Sequence, residues 1–284
     1  MLNLKEYIKE SILDDEEVVF NDDNIKSEIE KFIEDNYRCN RFMISNKPNK
    51  DGKFVVDGSN IQVTNNNITS LTNNLFIWGK SSGFFDCSDC KYLTSLEGAP
   101  EEVGENFYCY YCNSLTSLEG APEEVGGSFN CSDCKSLISL KGAPEEINEG
   151  FHCYACDSLI SLEGAPKEVG DDFVCYMCNS LKSLKGAPEK VGRGFYCSHC
   201  NSLSSLEGAP KEVGMDFDCS DCKSLKSLKG APEKVKRDFD CSYCDSLTSL
   251  EGAPQKVSRT FFSAKNKFSI EDIEKVVKAK RISV

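Results

Sequence analysis

From residue 85 to residue 260 the chain repeats every 22 residues without a slip, and each unit carries a Cys-x-x-Cys pair just behind a phenylalanine. The pairs fall at 87/90, 109/112, 131/134, 153/156, 175/178, 197/200, 219/222 and 241/244, taking sixteen of the seventeen cysteines. Strict self-similarity at this period restricts the chain to architectures in which one unit forms one coil stacked on the next. A single coil this short cannot bury its apolar side chains alone, but eight share a continuous core. Within a unit, Phe129 and Cys131 alternate as a short strand does, Leu137 and Leu140 add two inward contacts, and Gly142-Ala143-Pro144 turns the chain.

The pattern F-x-C-x-x-C-x-x-L-x-x-L resembles the leucine-rich-repeat consensus L-x-L-x-x-(N/C)-x-L in its cysteine-containing form. The resemblance implies an α/β solenoid of stacked short parallel strands forming one curved sheet, with a mostly irregular convex side and helical caps at both ends. It also implies that the Asn or Cys forms a ladder satisfying backbone groups where the strand ends. Upstream, Ile61, Val63, Asn66, Ile68 and Leu71 fit the asparagine form, and downstream Phe261, Ser263, Asn266 and Phe268 fall in the same slots. The expected organisation is an N-terminal cap over 1–60, a solenoid over 61–268 with its eight regular repeats at 85–260, and a C-terminal capping helix over 269–284.

At the N-terminal end, Leu4, Ile8 and Ile12 share one helical face, and Ile25, Ile29, Phe32 and Ile33 share another. Two strand-like runs around Pro48–Gly52 predict a hairpin, and Trp78 is expected to pack at the junction rather than bind a ligand. Ser269 and Asp272 make a capping-box signal for the C-terminal helix, with Ile270, Ile273 and Val277 on its apolar face. The opening LKEYIKESILDDEE is similar to the first residues of some tailed-phage proteins, which implies a viral origin and a cytoplasmic location in the host.

Three chemistries compete for the cysteines: packing, zinc or iron-sulfur binding, and redox. A tetrahedral zinc site would need two pairs, each wrapped on a turn rather than lying along a strand, and no glycine follows any second cysteine to ease such a turn. Together with asparagine at 66 and 266, this favours buried, unreactive thiols and no cofactor. With no apolar run of signal-peptide or membrane-span length, free thiols fit a reducing compartment. Cys39, outside the array, has neither histidine near it and reads as a structural thiol.

Thirty-three basic against 46 acidic residues give a net charge of −13, which disfavours nucleic acid and anionic membranes as partners. The positions flanking the inward phenylalanine and cysteines are where the repeats differ most. They collect Tyr108, Tyr110, Tyr111, His152, Tyr154, Tyr176, Met177, Tyr196 and His199, with Tyr243 further on. Asp86, Asp89 and Asp133 precede or interrupt this aromatic stretch, and Asp218, Asp221 and Asp240 follow it. Tyr and Met are enriched at interface cores, whereas β-propensity alone also favours Tyr on an exposed strand. The expectation is a non-enzymatic module that binds a protein partner on a concave strand face. The alternatives are a structural or scaffold protein associated with a virion, and a zinc-binding repeat array. The charged pairs such as Glu101-Glu102, Lys167-Glu168 and Glu233-Lys234 read as solvated surface.

Overall fold

The computed structural model describes residues 22–264 and 267–284. It is a β-solenoid of stacked parallel strands, and each regular coil is built the same way. A two-residue strand such as Phe129–Asn130 pairs in parallel with Phe107–Tyr108 before it and Phe151–His152 after it, with phenylalanine opposite phenylalanine. The amide of Cys131 extends this ladder by donating to the His152 carbonyl at 2.8 Å. Leu137 and Leu140 then point inward, and Gly142 takes φ +96° in the turn closed by the Ala143 amide on the Leu140 carbonyl. Positive φ at this place is the reason for glycine.

The core is a set of ladders along the solenoid axis. Nine phenylalanines from Phe85 to Phe261 stack ring on ring, with centroids 4.9–5.6 Å apart. The cysteine pairs at 87/90 through 241/244 and the paired leucines from Leu93 to Leu247 are completely buried alongside them. A shift of one residue in any coil would set a ring against a polar neighbour, so the unbroken period is itself the register signal.

The single curved sheet expected from sequence is replaced by two ladders per coil. Pairs such as Glu124–Val125 and Glu168–Val169, just after each proline, also form two-residue parallel strands. Proline holds its neighbourhood extended, and an extended pair stacked in register finds ladder partners. The valines face the core and the charged partners face water. There Lys190 meets Glu168, and Lys167 reaches Glu145 at 3.0 Å, in exposed pairs that solvent screens.

At the N-terminal end, the helix Asp22–Asn36 buries Ile29 and Ile33. Phe32 and Phe76 meet edge-on at 6.0 Å, and Trp78 packs between Tyr37 at 5.2 Å and Phe76 at 5.4 Å, so the tryptophan lies at the junction. Arg41–Ile44 and Phe54–Ser59 form the antiparallel hairpin, and Phe54–Ser59 pairs in parallel with Phe76–Ser81, so this ladder begins ahead of residue 61. The face of Leu4, Ile8 and Ile12 lies outside the described residues.

The C-terminal end departs from the expected helix. Helix covers only Ile270–Glu274, with the Ser269–Asp272 capping box formed and Ile273 buried. The chain then runs as a strand, Lys278–Ser283, parallel to Lys256–Phe262, with Ala279 opposite Val257 and Ile282 opposite Phe261. Val257 plus one period is position 279, so the tail is a further, slipped coil whose open ladder edge outcompetes a second helical turn. Among the described residues no helix is long and apolar enough to cross a membrane.

Candidate functional site

Three positions per coil face outward beside the cysteines: the residue between Phe and the first Cys, and the two residues between the cysteines. The strand ends before the pair, and the second residue between the cysteines sits in the left-handed region in every regular coil. These residues are Asp89, Tyr111, Asp133, Ala155, Met177, His199, Asp221 and Tyr243, with φ of 55–60°. Each Cys-x-x-Cys is therefore wrapped on a turn, and the expectation that it lies along a strand is corrected. The turn forms without glycine because the left-handed amide is held by the next coil, as Asp89 is by the Tyr110 carbonyl at 2.9 Å.

Geometry thus removes the absence of a turn as an argument against zinc, and a different observation says what the thiols do. The second Cys of each coil from Cys112 to Cys244 donates its Sγ–H to the carbonyl of the first Cys one coil earlier, at 3.1–3.3 Å. At this point the backbone leaves the strand, and the carbonyl would otherwise be a buried acceptor without a donor. Burial pushes most of these thiols up, Cys90, Cys200 and Cys244 to about 12. Among the described residues no group of three or more His, Cys, Asp or Glu is arranged to hold a metal ion.

Asn66 does not extend the ladder. Ile61 pairs with Phe85 across an interval of 24 residues, not 22, and the amides of Thr64 and Asn65 turn toward the Asn36 carbonyl at the helix end. Asn66 is left exposed, and among the described residues Cys90 does not join the series of thiol–carbonyl bonds, which starts at Cys112. Asn266 lies outside the described residues. Cys39 is half-buried, its Sγ 2.9 Å from the Arg41 carbonyl.

The outward residues gather into an aromatic cluster and a stacked pair. Tyr110 lies edge-on to Tyr108 at 6.4 Å and to Tyr111 at 5.6 Å. Two coils further on, Tyr154 and Tyr176 stack at 4.7 Å and 3°. Burial raises Tyr110, and the Asp86 carboxylate adds to this; Tyr176 is raised by burial and by Tyr154 beside it. The Tyr196 ring lies over Gly194, where a Cβ would stand 2.4 Å from it, and His152 covers Gly150 in the same way. Burial lowers His152, which is thereby neutral at pH 7 although the Asp172 carboxylate opposes the shift. Met177 and Tyr111 are each 47% exposed. His199 belongs to the acidic margin, with Nδ1 2.7 Å from Asp221, which also holds Lys223.

Two costs mark the aromatic residues. Left-handed backbone disfavours bulky side chains and suits Asp, which fills that position in three coils, yet Tyr111, Met177 and Tyr243 occupy it. In the strand position, Asp86, Asn130, Asp218 and Asp240 accept from the amide two residues on, at 2.8–3.0 Å. Tyr108, His152, Val174 and Tyr196 forgo that bond. β-propensity does not account for the first cost, because Tyr111, Met177 and Tyr243 are not on strands, whereas Tyr108, His152, Val174 and Tyr196 are.

Sequence reasoning missed Phe84, whose ring lies 6.4 Å from Tyr108, although the doubled phenylalanine was visible. It also missed Ser132, which is completely buried with its hydroxyl lacking a partner, and serine at a variable position carries no signal for that. No family model, curated protein or solved structure matches the chain.

Proposed function

We propose that this chain is a non-enzymatic binding module that recognises a protein partner through the outward face of its cysteine turns. Tyr108, Tyr110 and Tyr111 and the stacked Tyr154 and Tyr176 form the anchor, with the aspartates as rim. The observation that carries this reading is that bulky side chains stand at left-handed positions where aspartate or glycine costs less. Within the anchor Tyr111 is the ring held at this cost, and rigid rings offer contact area at small entropic loss on binding. Kinship with leucine-rich-repeat solenoids belongs to the same proposal, and its support is the thiol ladder, which does the work that family assigns to Asn or Cys.

The test is affinity capture with immobilised wild-type chain beside the Tyr110→Ala/Tyr154→Ala/Tyr176→Ala variant, both with the same circular dichroism. Loss of the captured proteins is expected for the variant. Full retention overturns the reading.

A further inference from the structure

The coil between Tyr110 and Tyr154 narrows the chemistry of the partner. Ser132 occupies the same coil position as these two tyrosines, one coil from each. With parallel strands about 4.8 Å apart, the two tyrosine backbones stand roughly 10 Å apart across Ser132. One planar group between two ring faces needs about 7 Å. Ser132 is completely buried and its hydroxyl has no hydrogen-bond partner, a state native structures rarely leave unexplained. Reaching the Ser132 hydroxyl takes a turn of the overlying side chains, a fast motion for surface rings.

The surroundings are acidic. Asp133, next in the chain, shares Lys135 with Asp157 at 3.1 Å each, and Lys135 also donates to the Ala155 carbonyl at 2.8 Å. Asp86 is engaged by the Ser88 amide at 2.9 Å and by Gln62 at 3.3 Å, and among the described residues the Asp89 carboxylate has neither an ion pair nor a hydrogen bond. Four carboxylates thus stand against two lysines, Lys135 and Lys91, and Lys91 is held over the Tyr92 ring at 4.9 Å. A guest for this place must be flat, must donate hydrogen bonds and must carry positive charge. Tyr and Trp have the plane and one donor without the charge, and a histidine has plane, donors and charge only when protonated, below about pH 6.5. A lysine has charge and donors without the plane and is more strongly hydrated.

We propose that the partner places an arginine side chain here, its guanidinium between Tyr110 and Tyr154, donating to the Ser132 hydroxyl and the Asp133 carboxylate. This rests on the reading of the face as a protein-binding surface and adds the residue it selects. The guanidinium meets both rings in cation–π contact and supplies the donor the buried hydroxyl lacks.

A random dodecapeptide library selected on the intact chain tests it. Arginine is expected to be enriched among binders, and replacing that arginine by lysine should weaken a selected peptide at least tenfold. Ser132→Ala, which removes an unpaired buried hydroxyl and leaves the coil intact, should weaken the same peptides severalfold, whereas Asp218→Asn on the far acidic margin should not. Equal binding of the arginine and lysine peptides, or indifference to Ser132→Ala, overturns the arginine assignment. The binding reading survives that outcome if Tyr110→Ser and Tyr154→Ser still abolish binding. Selected peptides indifferent to both tyrosine variants overturn both.

Discussion

Raising the pH should unfold this protein in one narrow step. Burial, the largest cause in every case, raises fourteen of the thiols in the array. An unfolded thiol titrates near 8.5, so at pH 9 about three-quarters of each is ionised in the unfolded chain and almost none in the folded one. A group whose folded value is raised contributes stability that is complete below the unfolded value and is lost as pH climbs toward the folded one. For Cys90, Cys200 and Cys244 that window runs from about 8.5 to about 12. At pH 9 the loss is about 0.8 kcal/mol per thiol, or about 11 kcal/mol for the fourteen, which is the size of a whole domain's stability of about 5–15 kcal/mol. The assay follows far-ultraviolet circular dichroism, Trp78 fluorescence and thiolate absorbance together, with excess reductant present. All three should change together between about pH 8.5 and 10. Thiolate absorbance equivalent to several thiols rising near pH 8.5 while the native spectrum persists would refute the burial argument, as would a native spectrum at about pH 11.

Further outcomes follow from the same geometry. Cys178→Ala leaves the Cys153 carbonyl without its donor and should cost about 1–3 kcal/mol more in urea unfolding than Cys90→Ala, which strands no carbonyl; equal costs would remove the ladder. With a thiol reagent at neutral pH, the half-buried Cys39 should react promptly and the sixteen array cysteines only on unfolding, so prompt reaction of several would contradict their burial. Gly164 has φ +88° and an added Cβ would lie 2.5 Å from backbone of Lys141, so Gly164→Ala should cost more than about 3 kcal/mol or prevent folding. Met177→Gly relieves a left-handed side chain and should be neutral or stabilising by up to about 1 kcal/mol while weakening partner binding; a large loss of stability would assign Met177 to the core.

The coil was legible because one period fixes every inward position at once. Phe129, Cys131, Cys134, Leu137 and Leu140 all point where their spacing places them. The left-handed turn was not legible, because it is held by an amide bond to the neighbouring coil and is filled by Tyr, Met and His as well as Asp. Nor was the second ladder, since Glu-Val pairs next to proline look like surface until stacking supplies their partners. The spacing from Ile61 and Val63 places Asn66 in a cysteine slot, but the helix end at Asn36 claims that segment's amides. The aromatic face was visible as composition, while its arrangement, an edge-on cluster and a stacked pair flanking a buried serine, required coordinates.

The central claim is that the eight Cys-x-x-Cys pairs are architecture, their thiols spent on packing and on carbonyls of the neighbouring coil. Elemental analysis of chain purified without chelator under reducing conditions tests this most directly. The geometry predicts zinc and iron near zero per chain in fully folded protein. About four tightly held zinc ions per chain, one for every two pairs, would contradict it.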